Sequence, residues 1–147
     1  MRLSISVKIC FTLILFCSFN SEIDFKKNLI GATKKSVISY CGYSYEEGVN
    51  KLGQKYILYE ISKFEGSTFY FDKNDICIFA SYWLNERLVK DCKNFLSNNF
   101  KFIRREGSRG AEYSYYESPN VKYRLFDGAS DGGILDVTSI KNQFVDN

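Results

Sequence analysis

The spacing of hydrophobic positions changes several times along the chain, and each change predicts an element of secondary structure. In residues 121–126 nearly every second side chain is apolar, and the charged Lys122 and Arg124 lie between them. This period of two predicts a strand with one face in water. In residues 85–98 the apolar side chains instead recur every three or four positions, which predicts the longest helix of the chain.

A shorter helix and six more strands are predicted on similar grounds. Thr33 is placed to cap the shorter helix through its hydroxyl group, and Gly42 to end it. The predicted strands are 56–61, 68–71, 76–82, 100–105, 113–116, 121–126 and 134–140, and residues 43–53 are predicted to form a polar loop. The order is α-βββ-α-ββββ. Because short turns favour antiparallel neighbours, we predict an α+β fold: an antiparallel sheet of about six to seven strands with two helices packed on one face.

The first 21 residues have the pattern of a secretory signal peptide. Arg2 and Lys8 are followed by an uncharged, mostly apolar run over residues 9–19, and the first carboxylate is Glu22. A permanent membrane span needs roughly 20 apolar residues, so this run favours a cleaved signal. We predict cleavage near residues 17–21, an exported (periplasmic or secreted) protein, and a single α+β domain over 22–147 with a frayed tail at 141–147.

A lipid anchor on Cys17 is the alternative fate of this segment. A bacterial lipoprotein signal places the modified cysteine after a small residue and an aliphatic one three positions before it. Ile14 meets the second requirement, but Phe16 is bulky where a small residue belongs. Plain cleavage is therefore favoured over lipidation, and an uncleaved apolar helix ranks third. Such an anchor would be the only contact with a membrane.

Composition narrows the classes of partner. Removing Arg2 and Lys8 from the 20 Lys and Arg residues leaves 18, against 17 Asp and Glu. This near-neutral balance argues against a nucleic-acid partner, which requires a large positive excess. Aromatic residues form 17% of the chain and proline occurs once, a composition that fits a sheet with aromatic faces.

The chain has no histidine. Catalysis by Ser-His-Asp or Cys-His groups and zinc binding through histidine are therefore excluded in their usual forms. We predict no catalytic residue, no cofactor and no metal, and therefore not an enzyme. The alternative is a histidine-free hydrolase that works through two carboxylates.

Three cysteines lie within the predicted domain: Cys41, Cys77 and Cys92. Their spacing contains no C-x-x-C motif, so neither a zinc ribbon nor a redox pair is indicated. Cys77 lies between two isoleucines, and Cys92 follows Leu88 by one helical turn. Buried free thiols are therefore favoured over a disulfide.

One basic segment is a candidate surface for a ligand or a partner. Its members are Lys101, Arg104, Arg105 and Arg109, followed by Tyr113 and Tyr115. Arginine and aromatic side chains together can bind an anionic or sugar-like ligand. A solvated basic turn is the favoured interpretation, because exposed charge usually serves solubility.

Residues 29–42, followed by the aromatic-rich stretch 56–71, carry a family resemblance. A Gly, Thr/Ser and Val-Ile pattern that ends in glycine and leads into such a stretch is similar to the SmpA/OmlA outer-membrane lipoproteins and to β-lactamase-inhibitor-like domains. The chain departs from this pattern at Cys41, where Leu is usual, and at Tyr43, where Pro often follows the glycine. The resemblance implies a non-enzymatic domain that binds protein or supports the envelope, and it transfers no functional residue.

We therefore expect an exported or envelope-associated module whose partner is another protein. Aromatic residues are enriched at protein interfaces, which supports this choice. The first alternative is an immunity or inhibitor protein that blocks a partner enzyme. The second is a binder of a small anionic or sugar-like ligand.

Overall fold

The computed structural model describes residues 24–63, 65–108, 110–128 and 131–144. Within them the helices are α1 (Lys34–Cys41) and α2 (Glu86–Asn99). The strands are β1 (Glu46–Val49), β2 (Lys55–Ser62), β3 (Glu65–Phe71), β4 (Cys77–Leu84), β5 (Lys101–Ser108), β6 (Ala111–Glu117), β7 (Val121–Asp127) and β8 (Gly133–Ser139). They form one antiparallel sheet in the order β1-β2-β3-β4-β8-β7-β6-β5. The predicted signal peptide, with Cys17, and Arg109 lie outside the described residues.

The fold predicted from the sequence is wrong in strand number and in the order of elements. The sheet has eight strands rather than six to seven, and the order is α-ββββ-α-ββββ. The two helices, predicted to pack together on one face, also differ in length and in the number of side chains that they bury. α2 has 14 residues and lies against the central strands β4 and β8, whereas α1 has 8 residues and fully buries one side chain, Val37.

The missing strand is β1, which lies in the segment predicted to be a loop. Its sequence is short and polar and has no run of β-branched residues, so it carries no strand signal. The turn that follows β1 positions this strand instead. The Asn50 side chain accepts hydrogen bonds from the backbone N–H of Leu52 (3.0 Å) and Gln54 (2.9 Å), and Gly53 adopts the left-handed φ of 76°. The chain reverses there, and Gly48 pairs with Tyr56 of β2.

The helix ends follow the sequence closely. Thr33 Oγ1 accepts from the backbone N–H of Ser36 at 3.2 Å, which confirms the predicted cap. Gly42, with φ 105°, ends α1, and its N–H donates to the carbonyl of Ile38 at 2.8 Å. Asn85 caps α2 by accepting from the N–H of Leu88 at 2.9 Å. The side chains of Thr33 and Asn85 each accept a hydrogen bond from an amide that the first turn of the helix leaves unpaired.

The core lies between the helices and one alternating set of strand side chains. Phe69 is central to it: its ring meets the rings of Tyr59 and Tyr82 edge to face, with centroids 6.1 and 5.8 Å apart. Such edge contacts add to the free energy of burying the rings. Leu96 of α2 and Leu135 of β8 close the other end of the same cluster, and both are fully buried.

The three described cysteines are free thiols. Cys77 and Cys92 are buried in the core, as the sequence predicts, and Cys41 is half-buried. Burial raises the pKa of Cys77 and of Cys92 to about 12, and that of Cys41 to about 11. All three are therefore protonated at neutral pH and are weak nucleophiles.

Candidate functional site

The strand side chains that point away from the core lie on the second face of the sheet, which we call the open face. Thr68, Ser81 and Asp136 at its middle are buried, and Tyr113 at its margin is exposed. Cross-strand partners share a face, so the pairing register shows which residues line up on it. One residue from each strand forms a row across its middle, which we call the central row. From β1 to β5 it consists of Glu46, Leu58, Thr68, Ser81, Asp136, Arg124, Tyr115 and Arg104.

Arg124 and Asp136 form a largely buried ion pair in this row. Arg124 Nη2 and Nε lie 2.8 and 3.1 Å from the same oxygen, Oδ2 of Asp136. The other oxygen, Oδ1, accepts from the hydroxyl of Ser81 at 2.8 Å. The two charged side chains are only 13% and 12% exposed. Because both nitrogens of the guanidinium fork are engaged, Arg124 is held in one orientation on the open face.

Arg104, Glu106 and Tyr115 form a second group next to this pair. Arg104 Nε donates to Glu106 Oε1 at 2.7 Å, and the Tyr115 hydroxyl donates to Oε2 at 3.1 Å. The guanidinium carbon of Arg104 lies 4.2 Å from the centroid of the Tyr115 ring. Desolvation and the hydrogen bond to Glu106 raise the pKa of Tyr115. Its hydroxyl therefore stays a donor at neutral pH, and its ring is fixed beneath Arg104.

Aromatic side chains flank the central row on both sides. On one side the Tyr70 ring lies between those of Tyr56 and Phe79, with centroid distances of 5.8 and 5.5 Å. On the other side the Tyr113 and Phe126 rings are 4.9 Å apart. The open face thus has a polar middle and aromatic margins, and the aromatic and arginine side chains on it are of the types enriched at protein interfaces.

Gly66 allows a close contact between two strands at one margin of the open face. A Cβ atom at this position would lie 2.8 Å from the Trp83 ring and 2.7 Å from the carbonyl oxygen of Tyr59. The glycine therefore lets the Trp83 ring lie against β3. This extends the apolar margin into the N-terminal part of the sheet.

The basic segment singled out by the sequence is divided between the two faces of the sheet. Arg104, Tyr113 and Tyr115 lie on the open face, whereas Arg105 points to the opposite face, where its Nε lies 3.1 Å from Glu112 Oε1. Successive residues of a strand face opposite ways, so Arg104 and Arg105 cannot act together. Lys101 is at the start of β5, opposite Glu117, and Arg109 is outside the described residues.

Sequence reasoning missed Arg124, Asp136, Ser81 and Glu106. Arg124 was recognised as pointing away from the core, but its partner lies 12 positions later on another strand. One signal was available for Asp136, which is a single carboxylate in the otherwise apolar run 134–137. A charge within such a run requires a partner if it is buried.

The described part of the chain holds no group of three or more His, Cys, Asp or Glu side chains placed to bind a metal ion. In the same residues no helix has both the length and the hydropathy needed to cross a bilayer. No protein-family model, curated protein or solved structure gives a significant match to this chain. The interpretation of the site therefore rests on its geometry.

Proposed function

We propose that this protein is a non-enzymatic protein-binding module and that its partner docks on the open face of the sheet. The Arg124–Asp136 pair at the middle of an aromatic surface is the main support. Arginine and tyrosine are the residue types that most often dominate binding energy at interfaces. A guanidinium already fixed by a buried carboxylate loses little entropy when a partner packs on it.

The paired charges favour a protein over a small anion as the ligand. Arg104 is engaged by Glu106, and Arg105 by Glu112. An incoming anion would therefore have to compete with a carboxylate at each site. A protein surface can use the exposed ring of Tyr113 and the rim charges without breaking either pair.

We further propose that the protein acts outside the cytoplasm. The basic start and the apolar run over residues 9–19 support export through a cleaved signal. The mass and N-terminus of the protein isolated from cells test this. A start between residues 18 and 22 supports cleavage, a lipid adduct on Cys17 supports anchoring, and an intact Met1 contradicts export.

Photocross-linking tests the binding surface directly. A photoreactive phenylalanine analogue replaces Tyr113, which is 38% exposed on the open face, and in a matched protein it replaces Lys90, which is exposed on α2. We expect one protein to be captured from the Tyr113 position and not from Lys90. Capture of the same proteins at both positions, or of none at Tyr113, contradicts the proposal. An activity assay of the captured protein separates an inhibitor of an enzyme from other binding modules.

A further inference from the structure

The segment after β8 turns back over the open face. The N–H of Ile140 donates to the carbonyl of Asn120 at 2.9 Å, and the N–H of Asn142 to that of Ser139 at 3.0 Å. Lys122 Nζ then donates to the carbonyl of Asn142 at 3.2 Å. Lys122 lies on the open face next to Arg124, so the segment is carried onto the charged end of the central row.

The segment places the Phe144 side chain against Arg124 and Tyr115. Its ring lies 4.8 Å from the guanidinium carbon of Arg124. It also meets the Tyr115 ring edge to face, with centroids 6.1 Å apart. Asp136 fixes Arg124 and Glu106 fixes Tyr115. Two groups held independently by carboxylates therefore form a prepared site for one aromatic ring.

The site is larger than its present occupant. A cavity of about 260 Å³ remains beside Phe144, bordered by Ile103, Arg104, Tyr115 and Lys122. Phe144 itself is only half-buried. This cleft is partly open to solvent, so it leaves room for a group larger than the single Phe144 ring.

We propose that Arg124 and Tyr115 form a binding site for an aromatic side chain of a partner's peptide segment, and that Phe144 occupies this site until the partner displaces it. The Lys122 ammonium group donates a hydrogen bond to the peptide backbone, as it now donates to the carbonyl of Asn142. This proposal rests on the proposed function only in identifying the group that displaces Phe144 as a side chain of a protein partner. The competition between Phe144 and an added peptide is a property of the chain alone.

Internal competition lowers the apparent affinity for any peptide that uses the site. The observed dissociation constant is the intrinsic one divided by the fraction of molecules in which Phe144 has left. Removal of the Phe144 ring should therefore strengthen peptide binding. Equal peptide binding by the Phe144→Ala and unaltered proteins would show that Phe144 does not occupy the site.

A titration followed by amide chemical shifts tests this. The probe is a synthetic peptide with the sequence of residues 140–145, and the control peptide carries the Phe144→Ala change. We expect the Phe144→Ala protein to bind the probe about tenfold more tightly than the unaltered protein, and to bind the control peptide at least about tenfold more weakly than the probe. Equal binding of the two peptides, or no binding of the probe, overturns the proposal.

Two second-site variants localise the effect. In the Phe144→Ala protein, Tyr115→Ala should weaken probe binding about tenfold, whereas Tyr56→Ala, at the other end of the open face, should leave it unchanged. Equal losses at both positions would overturn the assignment of the site. If the peptide binds as expected but cross-linking from Tyr113 captures nothing, the aromatic site stands and the proposed function fails.

Discussion

In the N-terminal half of the molecule, α1 is followed by the antiparallel strands β1–β4, and in the C-terminal half α2 is followed by β5–β8. The halves meet where their last strands, β4 and β8, pair. Their contributions to the central row differ. The N-terminal half supplies Glu46 at the sheet edge and the neutral Leu58, Thr68 and Ser81, whereas the C-terminal half supplies one carboxylate, two guanidinium groups and a tyrosine.

This difference shows that one arrangement of strands can serve two purposes in the same sheet. In the N-terminal half the open face consists mainly of aromatic and hydroxyl side chains, and Thr68 and Ser81 among them are buried. In the C-terminal half Asp136 and Glu106 hold Arg124 and Tyr115 in place. Side chains fixed in this way give orientation and specificity to an interface. We therefore propose that recognition uses the C-terminal half.

The largest expected effect comes from removing the buried carboxylate. Asp136→Ala leaves the guanidinium of Arg124 without its counter-charge and should lower the free energy of unfolding by about 3–5 kcal/mol. Thr68→Ala, in the same row of the N-terminal half, should cost about 1 kcal/mol. Urea unfolding of both variants measures the difference.

A double variant separates the charge from the packing. Arg124→Met with Asp136→Leu removes both charges and should recover most of the stability lost in Asp136→Ala. If Asp136→Ala costs no more than Thr68→Ala, the buried pair does not distinguish the halves.

Alkaline pH should lower the free energy of unfolding, because each half contains a buried thiol. The pKa of Cys77 and that of Cys92 are raised to about 12 from an ordinary value of 9.0. The folded state keeps protons that the unfolded chain releases, so this stabilisation is complete below about pH 9 and is lost as pH rises toward 12. The expected slope is about 1.4 kcal/mol per pH unit for each thiol.

Single cysteine variants show how much each half of the molecule contributes to the pH dependence of the free energy of unfolding. Cys77→Ala in β4 and Cys92→Ala in α2 should each remove one thiol's share of the alkaline decline in the free energy of unfolding. An unchanged slope in both variants between pH 9 and 11 would show that the thiols do not stay protonated in the folded protein.

The smallest expected effect concerns the helix caps. Thr33→Ala should cost about 1 kcal/mol. Asn85→Ala should cost more, because the Asn85 side chain also donates a hydrogen bond to Glu65 of β3 in the other half. Asn85→Ser keeps a cap acceptor without a charge but loses the amide donor to Glu65, so its thermal unfolding isolates the second contact. A larger loss for Thr33→Ala than for Asn85→Ala would contradict this account.

Local signals in the sequence predicted both helices, the Thr33 cap and seven strands to within a few residues, and did not identify Asn85 as a cap. Thr33, Gly42 and the alternation over residues 121–126 carry their information in near neighbours. β1 was missed because its position depends on the Asn50 turn and on pairing with β2. Without it, the two halves were predicted to differ by one strand.

The candidate site was predictable only in part. Arg104 and Tyr115 were named because they are close in sequence and of suitable type. The opposite facing of Arg104 and Arg105 follows from the predicted strand 100–105, because successive strand residues alternate. The pairing of Arg124 with Asp136, by contrast, depends on the register of β7 and β8. Such long-range pairings leave no local pattern to read.

The central claim is that recognition belongs to the C-terminal half of the open face. Its most direct test is the dissociation constant of the partner captured from Tyr113, measured by calorimetry for Tyr115→Ala and for Tyr56→Ala. We predict a loss of at least about 2 kcal/mol, or roughly thirtyfold, for Tyr115→Ala and less than about threefold for Tyr56→Ala. Equal losses, or a larger loss for Tyr56→Ala, would contradict the claim.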